Sequence, residues 1–430
     1  MVAPDAAKRA LEIAEIVLTI LDFASAGTIK NAIRVNRLWF NCAFSRLWRY
    51  NDDDTVLLRV ENLARRQLYA SVRERMLLSD DPKTNMNALK DLQFNNLRTL
   101  TVNETTDIDL LRQCFTPSVT WLVLDLMSCD DDLFAAMSEC AEYVQEIWLS
   151  FLEANASPQS VANFIRSCKS LRTLKVTWEE PLDDSFVLYC ATLPRLEFLQ
   201  GVKFTATLAR RIFAKVADPF MSLLHLNTAA TSAAVPILLN HLHNLTELKL
   251  SISGTTFPDL RTLPALVNLT TFILYLQDKI HVKKVHLLPL YSLHSLKDLR
   301  IESSGARYTE ILPQGDDNVL TDSDFEQLII NLPLLEALFI NVPSRLTAVL
   351  LLSLGKHCPR LDTLASYYLT LEPEALQVAN SPSVDKFCLE TLELGTIVEP
   401  NSSDELSAKY VTTDRPHCSA VAVILTWSQL

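Results

Sequence analysis

The pattern Leu-x-x-Leu-x-Leu returns between Leu97 and Leu394 about every 22 to 28 residues. Its clearest copies are Leu171-Arg-Thr-Leu174-Lys-Val176, Leu245-Thr-Glu-Leu248-Lys-Leu250, Leu296-Lys-Asp-Leu299-Arg-Ile301 and Leu389-Glu-Thr-Leu392-Glu-Leu394. A chain with such a period must stack, because each copy is one supersecondary unit whose apolar face only its neighbours can close. Strand-forming copies begin at Leu97, Val119, Val144, Leu171, Leu196, Leu223, Leu245, Leu269, Leu296, Leu335, Leu361 and Leu389, about twelve in all. One step is long: the 39 residues from Leu296 to Leu335 contain an insertion, 303–320.

Between strands the apolar period changes to that of a helix. Ser157-Pro158 opens one helix with proline in its first position, and Val161, Phe164, Ile165 and Cys168 then share a face. Ser323-x-x-Glu326 has the spacing of a capping box. Each copy thus reads as strand, turn, helix. The pattern resembles that of leucine-rich repeats, which implies an α/β solenoid with a curved parallel sheet and outer helices over residues 97–395. Strand alternation sends the fourth and sixth pattern positions inward and the residues beside them onto the open sheet face. That outward set contains Trp121, Val123, Trp148, Phe198, Ile273, Tyr275, Phe339 and Tyr367, with the charged Glu247, Lys249, Asp298, Arg300 and Glu302. Aromatic side chains on a rigid sheet are favoured anchors for protein partners. Trp121, Trp148, Phe198, Tyr275, Phe339 and Tyr367 are therefore the candidate substrate-binding residues, Trp121 and Trp148 on adjacent strands foremost.

Composition narrows the function classes. A formal net charge of -12 gives no basic footprint for a phosphate backbone, so no nucleic acid is expected as partner. Seven glycines leave little room for phosphate-cradling loops. Nine scattered cysteines without a Cys-x-x-Cys pair suit reduced thiols in a cytoplasmic or nuclear protein. His241 and His243, or His281 and His286, lack partners at ligand spacing, so no metal is expected. No apolar run is long enough to span a membrane. Nucleophile-elbow, zincin, dinucleotide-binding and P-loop motifs are all missing, so the expectation is no catalytic residue, no cofactor and no enzyme.

Ahead of the repeats, Ile13, Ile16, Val17, Ile20 and Leu21 fall on one face of a helix that Ala26-Gly27-Thr28 ends. Glu12, Glu15 and Asp22 interrupt the apolar run, which distinguishes it from a signal peptide. A second helix carries Ile29, Ala32 and Ile33, and a third carries Trp39 or Phe40, Ala43, Phe44, Leu47 and Trp48. A module this small must lean on the repeats or on another protein. Ile13-Ala-Glu-Ile-Val-Leu-Thr-Ile-Leu21, Arg34-Val-Asn-Arg-Leu-Trp39 and Leu47-Trp48-Arg49 resemble an F-box, with Ala14 where that family has proline. The resemblance implies that Ile13, Ala14, Ile16, Leu21, Val35 and Trp39 face a Skp-type adaptor and, through it, a cullin-RING ubiquitin ligase. Val35 and Trp39 equally suit the module's own core.

The expected organisation is an F-box-like helical module over 1–50, a helical linker and cap over 51–96, repeats over 97–395 and a C-terminal tail or cap over 396–430. The expected function is substrate recognition for an SCF-type ligase, with a non-ligase scaffold carrying a diverged F-box as the alternative.

Overall fold

The computed structural model describes residues 11–49, 57, 59–79, 89–103, 108–126, 131–138, 141–151, 157–178, 184–277, 280, 282–303, 320–342, 344–366 and 391–394. The chain divides into two compact units between Phe186 and Val187, inside the repeat region.

The first unit opens with helices α1 (Ala14–Asp22), α2 (Ala26–Ala32), α3 (Arg37–Arg49) and α4 (Leu63–Val72). Strands β1 (Arg75–Ser79), β2 (Thr99–Asn103), β3 (Trp121–Leu126), β4 (Glu146–Phe151) and β5 (Thr173–Trp178) follow. Each strand pairs in parallel with the next in sequence order. Helices α5 (Ile108–Cys114), α6 (Asp131–Ser138) and α7 (Pro158–Ser167) supply three of the crossovers. The register places Leu100, Leu122, Ile147 and Leu174 in one row, and all four are buried. Ser157 caps α7 by accepting from the Ser160 N–H at 3.2 Å, with Pro158 in the first turn and Val161, Phe164, Ile165 and Cys168 buried, as the spacing predicts.

The second unit carries β6 (Phe198–Phe204), β7 (His225–Thr231), β8 (Glu247–Ser253), β9 (Thr271–Leu276), β10 (Asp298–Ser303), β12 (Ala337–Asn341), β14 (Thr363–Ser366) and β15 (Thr391–Leu394), again parallel and in order. A separate short pair joins β11 (Leu320–Thr321) to β13 (Ser344–Arg345). All twelve expected copies form strands. Their crossovers are less uniform than strand, turn, helix: between β8 and β9 only the 3₁₀ turn Leu263–Ala265 is present.

One strand was not expected. The segment 51–96 reads as helical cap, yet β1 lies within it and begins the first sheet. By register, Met76 and Leu78 take the fourth and sixth pattern positions, and both are buried. The first position falls to Arg73, also fully buried. An arginine where a leucine belongs hides this copy from a leucine pattern.

Polar side chains tie successive copies together. The residue just before the first leucine reaches back to a turn carbonyl of the preceding copy: Asn96 Nδ2 donates to Ser71 O at 2.7 Å, and Ser118 Oγ to Asn95 O at 3.2 Å. In the second unit Ser222 Oγ and Asn244 Nδ2 do the same to Pro194 O and Met221 O. Helix starts are clamped as well. Asp131 accepts from the Ser157 N–H at 2.8 Å, and Asp322 accepts from the Thr347 N–H and hydroxyl at 2.8 and 2.6 Å. Turn carbonyls and helix-start N–H groups that would otherwise need water are thus satisfied within the stack.

The helix Asp322–Ile329 corrects the predicted capping box. Thr321 rather than Ser323 is the cap, and Asp324 rather than Glu326 closes it, accepting from Thr321 N at 3.1 Å and Oγ1 at 2.9 Å. Lys284 Nζ adds an ion pair at 2.5 Å to the buried Asp324 carboxylate. Burial alone would raise this carboxyl, but the bonds from Lys284 and Thr321 outweigh it and leave the group below its ordinary value. A depressed folded-state value gives stability that is complete above the unfolded value, about 3.9, and is lost as pH falls through the folded one. The denaturant midpoint of the second unit should therefore drop between about pH 4 and the lower folded value. Asp324→Asn should flatten that part of the profile in a pH series of urea melts; an unchanged slope would refute the assignment.

In the N-terminal helices, Val17, Leu21, Ile29, Ala32, Cys42 and Ala43 form a shared core. The break after α1 comes earlier than expected. Ser25 caps α2, its Oγ accepting from Thr28 N, so Ala26, Gly27 and Thr28 belong to the helix. The module leans on the segment that follows it within the first unit: Phe44 and Trp48 pack on Tyr69 of α4 with ring centroids at 4.9 and 4.2 Å. Arg49 pairs with Glu74 at 3.2 Å beside β1. The insertion beyond Ser303, Tyr367 and the 396–430 tail lie outside the described residues.

Candidate functional site

Two surfaces qualify, one on helix α1 and one on the sheet faces. Helix α1 is apolar on two adjacent sides. Val17 and Leu21 point into the module, with Ala14 and Leu18 packed beside them. Ile13, Ile16 and Ile20, at 46%, 36% and 41% exposure, form an outward stripe that Phe23 extends at 89%. The helical period requires this division: positions 13, 16, 20 and 23 fall within roughly 80° of one another, beside the buried set. One apolar face per helix satisfies a core, so the outward stripe is surplus to the fold. The exposed Val35 and Phe40 belong to the same module.

The residues expected on the adaptor face differ in exposure. Ile13, Ile16 and Val35 are exposed, whereas Leu21 is a core residue and Ala14 packs against the core. Trp39 is half-buried, packs on the same core and donates its indole N–H to Leu11 O at 3.3 Å. Ile20 and Phe23, exposed beside Ile13 and Ile16, were not among the expected residues. The signal was present in the i, i+3, i+7, i+10 spacing from Ile13, but apolar periodicity alone does not separate two touching faces.

On the first unit's sheet, Trp121 and Trp148 do meet. Register sets Trp121 opposite Glu146 and Trp148 opposite Val123, so the tryptophans are diagonal neighbours, with ring centroids 5.5 Å apart and planes at 61°. Lys175, in register with Trp148 on the next strand, lays its ammonium 3.8 Å from that ring's centroid. Both indole Nε1 atoms are buried, and neither has an acceptor among the described residues.

The second unit's sheet face differs. Its charged residues pair along their own strands, since residues two apart on a strand share a face. Lys249 meets Glu247 at 2.6 Å, and Arg300 clasps Asp298 with bonds of 2.9 and 3.0 Å. His225 Nδ1 lies 3.4 Å from Glu247, and Phe198 sits against the His225 ring at 5.9 Å. Burial would raise the Glu247 carboxyl, but Lys249 and His225 bring it below its usual value. Glu302 goes the other way: burial first, with the Asp298 charge adding to it, raises it despite Arg300. Arg300 also covers Phe339, its guanidinium carbon 4.0 Å from the ring centroid. Tyr275 is the open aromatic here, at 40% exposure. Ile273, expected on the open face, is buried between Lys249 and Arg300 in register, where long side chains can cover it.

Burial pushes the thiols of Cys168 and Cys358 up to about 12 and that of Cys190 higher still, so these three remain protonated. Among the described residues no cluster of three or more His, Cys, Asp and Glu could hold a metal ion. No described helix is long and apolar enough to cross a membrane.

No family model and no curated protein matches the chain. Among solved structures it is similar to a TDR receptor at 16% identity, covering 75% of this chain and 50% of that one with a TM-score of 0.39. The PEPR1–AtPEP1 structure gives 18%, 76%, 47% and 0.35 in the same order. The Rad7 and Elc1 complex in yeast gives 14%, 93%, 91% and 0.42. The chain spans about half the length of the first two. Likeness this distant assigns neither a family nor an activity.

Proposed function

We propose that the chain is a non-catalytic protein-binding adaptor: its N-terminal helices dock a Skp-type adaptor of a cullin-RING ubiquitin ligase, and its sheet faces hold a protein substrate. The observation that carries the reading is the outward stripe Ile13, Ile16, Ile20 and Phe23 on a helix whose adjacent side already fills the module's core. Apolar groups in that number on one helix face mark a helix-packing interface. Bringing substrate near a ubiquitin-charged enzyme would then act by effective concentration, with no chemical group contributed by this chain.

Titrating the full chain with a purified Skp-type adaptor in a calorimeter tests the docking half. Saturable one-to-one binding is expected. Its absence, with a normal melting profile, would sink the ligase reading. It would favour instead a scaffold with a diverged F-box, which the alanine at position 14 also suits.

A further inference from the structure

The crossover between β9 and β10 is closed by a histidine that can do so only while neutral. His286, in the short helix Lys284–Leu287, is joined twice to the residue just before that helix. Its N–H donates to Lys283 O at 2.9 Å, and its Nδ1 accepts from the Lys283 N–H at 3.0 Å. An imidazole nitrogen accepts only without its proton, so the ring proton sits on Nε2. The ring also lies flat on Phe257 of the preceding crossover, with centroids 4.0 Å apart and planes at 6°. One side chain thus clasps a helix start and pins it to the neighbouring copy. Protonation at Nδ1 turns the acceptor into a donor facing the Lys283 N–H, and that bond must break.

We infer that His286 is an acid-sensitive latch: its neutral ring holds the β9–β10 crossover shut, and its protonation frees the helix start while the strands on either side stay paired. The charges around it fit that role. Lys283, on the clasp itself, sets a positive charge beside the ring, and Lys284 is held by Asp324 of the next helix. Asp322 and Glu326 of that helix accept from Thr347 and Ser353 of the copy beyond. Asp259, two residues from Phe257, is paired with Arg261 at 2.6 Å. Tyr291, in the turn that follows, is kept protonated by burial. Burial first, and then Lys283, hold the imidazole below its ordinary value; attraction of an imidazolium to the Phe257 face offsets only part of this. Because the folded value is the lower one, the folded state binds fewer protons between it and about 6.5. The stability that the clasp contributes is therefore complete above about pH 6.5 and is lost as pH falls from there through the folded value. His241 provides the contrast: it stacks on Phe213 in the same manner, at 4.0 Å and 12°, but it is exposed, and among the described residues its ring caps no helix.

Hydrogen exchange of the full chain, followed by mass spectrometry from about pH 7.5 to about pH 5.5 on either side of the ordinary histidine value, tests the latch once each rate is divided by its intrinsic rate at that pH. Protection over 282–288 should fall about fivefold across the range, the worth of one net hydrogen bond. Strands β8, β9 and β10 and the segment around His241 should keep theirs. His286→Gln is the decisive variant, because glutamine at the third helical position accepts from the residue before the helix without titrating. Whatever its starting level, protection over 282–288 in this variant should not change with pH. A measurement on the wild type keeps the test independent of the variant's stability: with ¹³C-labelled histidine, the ring C–H resonance that His286→Gln removes should titrate with a midpoint below about 6.5. Three results would overturn the inference: a midpoint at or above that value, wild-type protection over 282–288 that is constant with pH, or the same pH-dependent loss in His286→Gln, which would assign the effect to another group.

Discussion

Ile20→Lys combined with Phe23→Lys is expected to weaken binding of a Skp-type adaptor about 100-fold while the chain's melting temperature stays within about 2 °C of wild type. The two side chains lie at the end of helix α1, and neither enters the module's core. A pair of central apolar anchors in a helix-packing interface is typically worth ~2–4 kcal/mol or more, and two ammonium groups at an apolar contact add desolvation cost. Lysine is the informative choice because a positive charge near a helix C-terminus is mildly favourable, so lost binding would not reflect a weakened helix. Leu21→Lys provides the contrast: Leu21 is 1% exposed, and this change should unfold the module outright. Trp39→Ala is a poorer probe. Its ring is part of the core packing and its N–H holds Leu11 O, so adaptor loss there would mix docking with stability. Retention of wild-type adaptor affinity in the double lysine variant would remove the stripe from the docking surface.

Helix α1 also marks the limit of what the residue pattern discloses. Periodicity located the helix and its apolar residues, but it merged Ile13, Ile16 and Ile20 with Val17 and Leu21 into one face. Burial divides them, and burial depends on where α2 and α3 pack. The strands were more legible because alternation has a period of two and leaves no intermediate direction. Every Leu-x-x-Leu-x-Leu copy therefore became a strand. The copy that escaped, β1, did so through Arg73, a residue whose burial no spacing argument anticipates. On the sheet face, the tryptophans could be placed on adjacent strands, yet their diagonal contact follows from register, which pairs Trp121 with Glu146. The charged residues could be placed on the open face, but their pairing with i+2 neighbours leaves them largely neutralised there.

Phe164→Ala should cost the first unit about 3–5 kcal/mol in urea unfolding. Phe164 is fully buried on α7, and its ring lies 5.7 Å from that of Phe134 on α6, itself fully buried. Truncation removes the transfer energy of the ring, leaves a cavity that two facing helices cannot close, and deletes an aromatic pair worth ~1 kcal/mol beyond its area. Position matters as much as size. A stack is held by contacts between neighbouring copies, so a cavity between α6 and α7 weakens the interface of two repeats at once. Phe164→Leu, which keeps much of the volume, should cost about 1–1.5 kcal/mol. Phe134→Ala and the Phe134→Ala/Phe164→Ala double variant complete a mutant cycle in which the pair couples by about 1 kcal/mol, because the second truncation removes a partner already lost. Tyr143→Ala, at an exposed position in the same unit, should stay within about 0.5 kcal/mol of wild type. A Phe164→Ala cost no larger than that of Tyr143→Ala would mean that the α6–α7 contact is not part of the core that closes the first unit.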